Sequence, residues 1–264
     1  NANRLRCLKR STAAVFLRFI LDGSFSYAVK NRGITFWGIV ALNIAIFLGG
    51  AAECTMAQWI SGYLEKAIGI EKVWGDIFGV ALFSAMLGFG RTLYAKKGRD
   101  IGSVLLLSAI GATACYFTAI VSNVPVIGLA ACAFTGFCVA MLWPGSLVVA
   151  TDRFPKGGVF VFALMAAGGD LGASVGPQLI GVITDSVIAS ERAVEFANSI
   201  SLSPEQFGMK LGMLVGMLFP LTAVPIFAVL LKSKKEQRAP VSILRPRRAS
   251  LLKLPPLLSS NPVR

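Results

Sequence analysis

The sequence predicts an all-α integral membrane protein with six transmembrane helices, and three observations lead to that prediction. Of the 264 residues, 55% are hydrophobic and only 15% are charged, which is more apolar surface than a soluble domain of this length usually buries. Six long apolar stretches follow one another along the chain, and basic residues are concentrated in alternate connecting segments. A bilayer, rather than water, is therefore the expected solvent.

Each apolar stretch is long enough to cross a membrane as a helix. A helix rises about 1.5 Å per residue, so roughly 20 residues cover a hydrocarbon core about 30 Å thick. Helices satisfy their own backbone hydrogen bonds in lipid, and the alternating pattern of strands is absent. The predicted six-helix domain covers residues 36–231, with spans at 36–63, 74–94, 101–121, 124–150, 157–184 and 209–231.

The distribution of charge predicts the orientation. Of the 26 lysines and arginines, 22 fall in the leading segment, the connections after the second and fourth spans, and the tail. Only Lys66, Lys72, Arg192 and Lys210 fall on the other side, together with seven acidic residues. The positive-inside rule places the basic side, and both ends of the chain, in the cytoplasm of a multi-pass plasma-membrane protein. This asymmetry accounts for the net charge of +13, so we expect no nucleic-acid partner.

The segments outside the spans have distinct compositions. Residues 1–35 are predicted to be a basic cytoplasmic linker, and the absence of an initial methionine indicates a piece of a longer protein. Residues 232–264 hold nine basic residues and five prolines, which favours a disordered cytoplasmic tail. The connection at about 185–208 contains ERAVEFANSI, which is predicted to form a short surface helix.

Cysteine and histidine usage excludes several chemistries. There is no histidine, and no CxxC pair or glycine-rich phosphate loop, so we expect no metal site, no cofactor and no enzyme activity. Four of the five cysteines lie inside spans, which excludes an extracellular disulfide framework. These four are Cys54, Cys115, Cys132 and Cys138.

Candidate functional residues are those that are costly to place in lipid. Glu53 in the first span and Asp170 in the fifth are the two carboxylates well inside a span, roughly 26 Å and 20 Å from the inner ends of their helices. Such groups usually face a cavity or a partner, although a purely structural role stays open. Near Glu53, the side chains of Asn43, Gln58 and Trp59 supply amides and an indole suited to a polar solute. A membrane-interface role for Trp59 competes with this interpretation.

Two further groups of residues indicate gates or helix interfaces. Trp143 precedes Pro144 in the fourth span, where a kink near an inner gate competes with interfacial anchoring. Gly172 and Gly176 form a GxxxG step followed by Pro177, which favours close approach of helices at a moving interface or in static packing.

Three motifs resemble the C-terminal half of a major facilitator superfamily transporter over about residues 36–231. The connection LYAKKGRD, with Gly98 and Arg99, is similar to the family's cytoplasmic loop signature, although Ala95 replaces its aspartate and Arg91 its first glycine. The stretch GASVGPQLIG resembles the glycine-proline motif of the family's eleventh helix. The first span, GGAAECTMAQWISGYL, more weakly resembles the seventh helix of the fucose and sugar permease branch.

This resemblance implies two inverted three-helix repeats and alternating-access transport of a small polar solute, with sugar favoured, coupled to a proton or another ion. It implies that the first and fourth spans line the cavity, while the second and fifth pack between halves. We expect Glu53 to bind the solute or a proton, and Asn43 and Gln58 to bind the solute. Asp170 is expected to take part in coupling. Gly98 and Arg99 are expected to shape a gate. The expected partners are the solute, a coupling ion, the bilayer, and a missing N-terminal half or a second copy. A drug or organic-acid efflux carrier, a non-transporting receptor or scaffold, and a membrane-embedded enzyme remain alternatives.

Overall fold

The computed structural model describes residues 36–98, 100–155 and 158–243, and within those ranges the chain is helical and forms no strand. The helices run in chain order and are numbered here from the first described one. They are α1 (Phe36–Tyr63), α2 (Ala81–Lys97), α3 (Ile101–Val121), α4 (Pro125–Val139), α5 (Leu142–Arg153), α6 (Gly158–Ala189), α7 (Glu191–Ser199) and α8 (Pro204–Ile243).

Two π-helical turns connect α1 to α2. Leu64–Ile68 extends α1, and Gly75–Val80 leads into α2 after the short helical segment Lys72–Trp74. Gly69 ends the first π-helical turn in the left-handed conformation at φ 80°. Wide turns of this kind are rare, and here they make α1 and α2 continuous with the short connection between them.

Six helical segments within the described ranges are long and apolar enough to cross a membrane, which confirms that prediction. They are Trp37–Ile68, Lys72–Lys97, Ile101–Val121, Pro125–Arg153, Val161–Ala189 and Pro204–Lys232. The predicted surface helix is also present, as α7. The fourth span differs from a continuous helix because it breaks at Ala140–Met141 into α4 and α5.

The last helix extends further than the sequence analysis predicts. Disorder was expected from residue 232, but α8 continues to Ile243. The stretch KSKKEQRA at 232–239 consists mostly of residues with high helix propensity, which explains the continuation despite the charge. The basic linker at 1–35 and residues 244–264 lie outside the described residues.

The principal core forms on one side of α1, where α3 and α8 pack. Tyr116 of α3 is fully buried and donates its hydroxyl to the Ala52 carbonyl at 2.8 Å. Tyr63 of α1 donates to the Ala119 carbonyl of α3, also at 2.8 Å. These two reciprocal bonds satisfy both phenols in an apolar interior and fix the register between α1 and α3.

A second core forms around the first turns of α1. Ile39, Leu42 and Ile46 of α1 are buried with Phe154 and Met165, which come from the end of α5 and from α6. The same stretch of α1 therefore contacts both the fourth and the fifth span. This contact fixes α5 and α6 beside α1.

Close contact between α1 and α6 depends on glycine. A Cβ at Gly172 would collide with the main chain of Phe47, and one at Gly176 would lie 2.9 Å from the Ala51 carbonyl. From α1, a Cβ at Gly50 would lie 2.5 Å from the Gly169 carbonyl. Real Cβ atoms do not approach this closely, so larger residues would separate the two backbones. The glycines thereby place the neighbouring polar residues of α1 and α6 side by side.

Candidate functional site

A set of polar residues lies on the side of α1 opposite Tyr116, and we call this set the polar face. On α1, Ala52, Met56, Ile60 and Tyr63 are fully buried in the core, while Glu53 and Ser61 are partly exposed and Gln58 is exposed. The α6 members, Asp170, Ser174 and Gln178, are exposed at four-residue spacing and so lie along one stripe. The polar face consists of Glu53, Gln58, Ser61, Asp76, Arg91, Asp170, Ser174 and Gln178.

Two side-chain contacts join α1 to the second span across this face. Glu53 accepts a hydrogen bond at 2.9 Å from Nη2 of Arg91, which makes an ion pair. Nearer the other end of α1, the Ser61 hydroxyl donates to the Asp76 carboxylate. The Glu53 side chain is only 12% exposed and that of Arg91 is 44% exposed, so the pair lies where the face meets the protein interior.

The same arginine also bonds to the broken fourth span. Nε of Arg91 donates to the Ala140 carbonyl at 3.1 Å. In a continuous helix that carbonyl would accept from residue 144, but Pro144 has no N–H. Arg91 therefore replaces a backbone hydrogen bond that the proline removes, and it connects Glu53 of α1 to the junction between α4 and α5.

The carboxylate of Glu53 is only half satisfied. Its second oxygen, Oε2, is buried and has no hydrogen-bond partner among the described residues, and the Thr55 hydroxyl is in the same state. Buried polar atoms are nearly always paired in native structures, so an orphaned carboxylate oxygen calls for an explanation. A donor group from a bound molecule would supply the missing partner, whereas protonation of Oε2 would remove the buried charge.

A small groove continues the polar face between α1 and α6. It encloses about 200 Å³ and is lined by Gln58, Trp59, Pro177, Gln178 and Gly181. The Trp59 indole donates to the Pro177 carbonyl at 2.9 Å and covers Gly181, where a Cβ would lie 3.3 Å from the ring. The polar atom of Trp59 therefore bonds within the protein, between α1 and α6. Two amides and an indole edge surround the groove.

The other two predicted polar residues occupy different places. Asp170 is exposed on α6, on the same stripe as Ser174 and Gln178. Asn43 lies ten residues before Glu53, roughly 15 Å away along the helix. Its amide makes long contacts to the Ile39 carbonyl at 3.5 Å and the Met165 sulfur at 3.7 Å, and it borders an apolar groove. The structure therefore groups Gln58 with Trp59 but not with Asn43.

The predicted gate residues fall at helix ends. Gly98 ends α2 with φ 52°, a conformation that favours glycine, and its N–H bonds to the Tyr94 carbonyl at 3.0 Å. Arg99 lies outside the described residues. Trp143, in the first turn of α5, packs its indole on Gly169 of α6, where a Cβ would lie 2.5 Å from Nε1. Its indole therefore contacts α6 directly, rather than serving only as an interfacial anchor.

The glycines of the glycine-proline motif lie at a contact between two helices of this chain. Gly172 and Gly176 pack against α1, and their expected place at a moving interface stays a prediction. The absence of a Cβ at both glycines is what allows that contact. Among the described residues, the atoms nearest to a Cβ at either glycine belong to α1.

Sequence reasoning missed Arg91 as the partner of Glu53, the Ala140 carbonyl as the second partner of Arg91, and one member of the groove. Arg91 was assigned to the basic cytoplasmic side, although its place inside the predicted span 74–94 was a signal of a buried partner. The free carbonyl of Ala140 follows from Pro144, four residues later, but only the fold brings Arg91 to it. Gln178 follows Pro177 directly and gave no separate signal.

No protein-family description, no curated protein and no solved structure matches this chain. The residues of the polar face therefore carry the functional argument by themselves.

Proposed function

We propose that this chain is one six-helix unit of a secondary transporter that moves a small polar solute across a membrane by alternating access. The observation that carries the proposal is the ion pair between Glu53 and Arg91, in which one buried carboxylate oxygen is left without a partner. Charged groups inside a span are costly, and they usually mark the path of a solute, an ion or a proton.

The ion pair has the contacts of a coupling element. Arg91 bonds at once to Glu53 on α1 and to the Ala140 carbonyl at the break in the fourth span. Protonation of Glu53 would remove its charge and weaken the attraction for Arg91. Loss of that contact would free α1 to move relative to α4 and α5. One proton can in this way be linked to a change in helix packing, as ion-coupled transport requires.

The groove beside Gln58, Trp59 and Gln178 is the proposed place for the solute. Amide groups donate and accept hydrogen bonds, and an indole offers an apolar surface for stacking, which together suit a sugar or a similar hydroxylated solute. A volume of about 200 Å³ is below the usual range for a complete ligand pocket. We therefore propose that a second six-helix unit, from the same polypeptide or from another copy, covers the polar face and completes the site.

The resemblance to the major facilitator superfamily gives this proposal its architecture. In that family, each half consists of two inverted three-helix repeats, and solute binds near the middle of the membrane between the halves. Here the first triplet would be α1 to α3, and the second would be formed by α4 with α5, α6 and α8. The plasma membrane, with the basic side in the cytoplasm, is the proposed location.

The test is transport by the full-length protein together with the proposed second six-helix unit, reconstituted in vesicles and measured as solute-induced proton movement across a panel of sugars, amino acids and organic acids. We expect a response to one class of solute, and Glu53→Gln should abolish the proton movement. Glu65→Gln is the matched control, because Glu65 is a carboxylate in the π-helical turn that follows α1, away from Arg91, and should leave it intact.

Two results would contradict the proposal. Unchanged proton movement in Glu53→Gln would remove Glu53 from coupling. Silence across the panel in protein that is folded and inserted would favour the receptor or scaffold alternative, which predicts partner binding without solute flux.

A further inference from the structure

A second cavity lies away from the polar face, between α2, α3 and α4. It encloses about 370 Å³, which is within the range of ligand pockets. Its lining shares no residue with the polar face. Leu107 and Phe134 are 70% and 50% exposed, so the cavity is a groove that opens on the outer surface of the helices.

Two polar side chains lie at one end of this groove, and Ser108 lies farther along its α3 wall. Tyr94 and Lys97 belong to the last turn of α2, and Lys97 is its final residue. The walls are formed by aromatic and aliphatic side chains, including Leu107, Phe134 and Phe137. A ligand that fits would have one long apolar part and a negatively charged group at the Lys97 end.

The floor of the groove is deepened by glycine and a thiol. At Gly111 of α3, a Cβ would come within 2.9 Å of the Cys138 sulfur, so any larger residue would fill the space. Both residues line the groove, as does Gly90 of α2. The lining runs from Gly90 to Lys97 on α2 and from Val104 to Gly111 on α3, roughly 10 Å along each helix axis. The space is thus elongated parallel to the helices.

We propose that this groove binds an anionic phospholipid, with one acyl chain along its apolar walls and the head group at Lys97. Lys97 is exposed, and within the described ranges it forms no ion pair, so its ammonium group is available to a ligand. Lys97 also lies on the side of the chain that holds 22 of the 26 basic residues. Basic pockets between transmembrane helices on that side bind anionic lipid head groups.

The experiment measures bound lipid by native mass spectrometry. The purified protein is relipidated with equal amounts of phosphatidylglycerol and phosphatidylcholine, and loosely held lipid is then removed with detergent. We expect the retained lipid to be enriched in phosphatidylglycerol. Lys97→Gln should lower that enrichment about fivefold, the factor expected for one lysine near an anionic surface. The adjacent Lys96→Gln, which changes the same charge outside the groove, should lower it less than about twofold.

A second pair of variants tests the cavity rather than the charge. Ser108 lines the groove and is half-buried, so Ser108→Trp should fill it and reduce retention of both lipids. Ile110→Trp adds the same ring at an exposed position outside the groove and should leave retention unchanged. If Ser108→Trp does not fold, the Lys97 and Lys96 variants still decide the question, because both lysines are exposed.

Several outcomes would overturn the proposal. Retained lipid in the same ratio as the mixture would show no selectivity for the anionic head group. Equal effects of Lys97→Gln and Lys96→Gln would indicate general attraction to the basic surface. Unchanged lipid retention in folded Ser108→Trp would place the bound lipid elsewhere, and displacement by a long-chain fatty acid alone would identify a free amphiphile as the occupant.

Discussion

Arg91 donates a hydrogen bond from its guanidinium Nε to the main-chain carbonyl of Ala140 at 3.1 Å. This bond joins α2 to the break in the fourth span, at a carbonyl that Pro144 leaves without its usual donor. The same guanidinium pairs with Glu53. A single side chain therefore holds three spans together through one ion pair and one backbone contact, and this arrangement leads to two of the predictions below.

Removal of Arg91 should destabilise the protein more than removal of both charges. Arg91→Gln leaves the Glu53 carboxylate buried without its partner, so the free energy of unfolding should fall by about 2 kcal/mol. This loss is smaller than for a fully buried ion pair, because Arg91 is partly exposed. The double variant with Glu53→Gln should recover part of this loss. The measurement is denaturant unfolding of the protein in mixed micelles. Additive losses in the double variant would contradict an interaction between the two side chains.

Pro144→Ala should reduce the dependence of the fourth span on Arg91. Alanine restores an N–H that can bond to the Ala140 carbonyl, so the cost of Arg91→Gln should fall by about 1 kcal/mol when it is measured in the Pro144→Ala background. The same unfolding assay, arranged as a double-mutant cycle, measures this coupling. An equal cost of Arg91→Gln in both backgrounds would show that the contact with Ala140 contributes nothing to stability.

Gly172→Ala should weaken the contact between α1 and α6. Its Cβ would collide with the main chain of Phe47, a rigid neighbour, and overpacking of this kind costs about 1–3 kcal/mol. Thermal unfolding followed by circular dichroism measures the loss. Gly88→Ala in α2 is the matched control, because no atom lies within 4 Å of the added Cβ, and it should be neutral or stabilising by up to about 1 kcal/mol. Similar melting temperatures for the two variants would show that α6 does not depend on close contact at Gly172.

Trp59→Tyr should distinguish an inter-helix contact from membrane anchoring. Tyrosine, like tryptophan, is enriched among the residues at membrane–water interfaces. Its hydroxyl, however, cannot take the place of the indole N–H that donates to the Pro177 carbonyl. We expect a loss of about 1 kcal/mol in the free energy of unfolding. Trp74→Tyr is the comparison, since Trp74 is 51% exposed, and it should have little effect. Equally small effects of the two substitutions would favour membrane-interface anchoring for Trp59.

The boundaries of the helices were largely predictable because they depend on local properties of the chain. The third span was predicted at 101–121 and is observed at Ile101–Val121, since Asp100 caps its start and a polar connection follows its end. The first span was predicted at 36–63 and matches α1. The end of α8 was not predictable in the same way, because charge and helix propensity give opposite indications between residues 232 and 243.

The sequence by itself determined that the described chain is helical and carries six segments able to span a membrane. Hydropathy and helix length are set by consecutive residues and need no tertiary information. It also singled out Glu53, because a carboxylate inside a span is costly wherever the helix packs. The transport role of Glu53 and the family resemblance of the chain stay predictions. The vesicle experiment tests the transport role.

Only the tertiary structure decided which residues share a site. Arg91 is 38 residues from Glu53 in the chain, and Gln178 is 120 residues from Gln58, so no local pattern pairs them. The glycines of α6 bring its backbone onto α1, and Pro144, which has no N–H, leaves free the Ala140 carbonyl that Arg91 reaches. The physical reason is that the apolar composition of a span is enough to place it in lipid. Which helix lies beside which other helix depends on close packing, and therefore on small residues and on unsatisfied backbone groups.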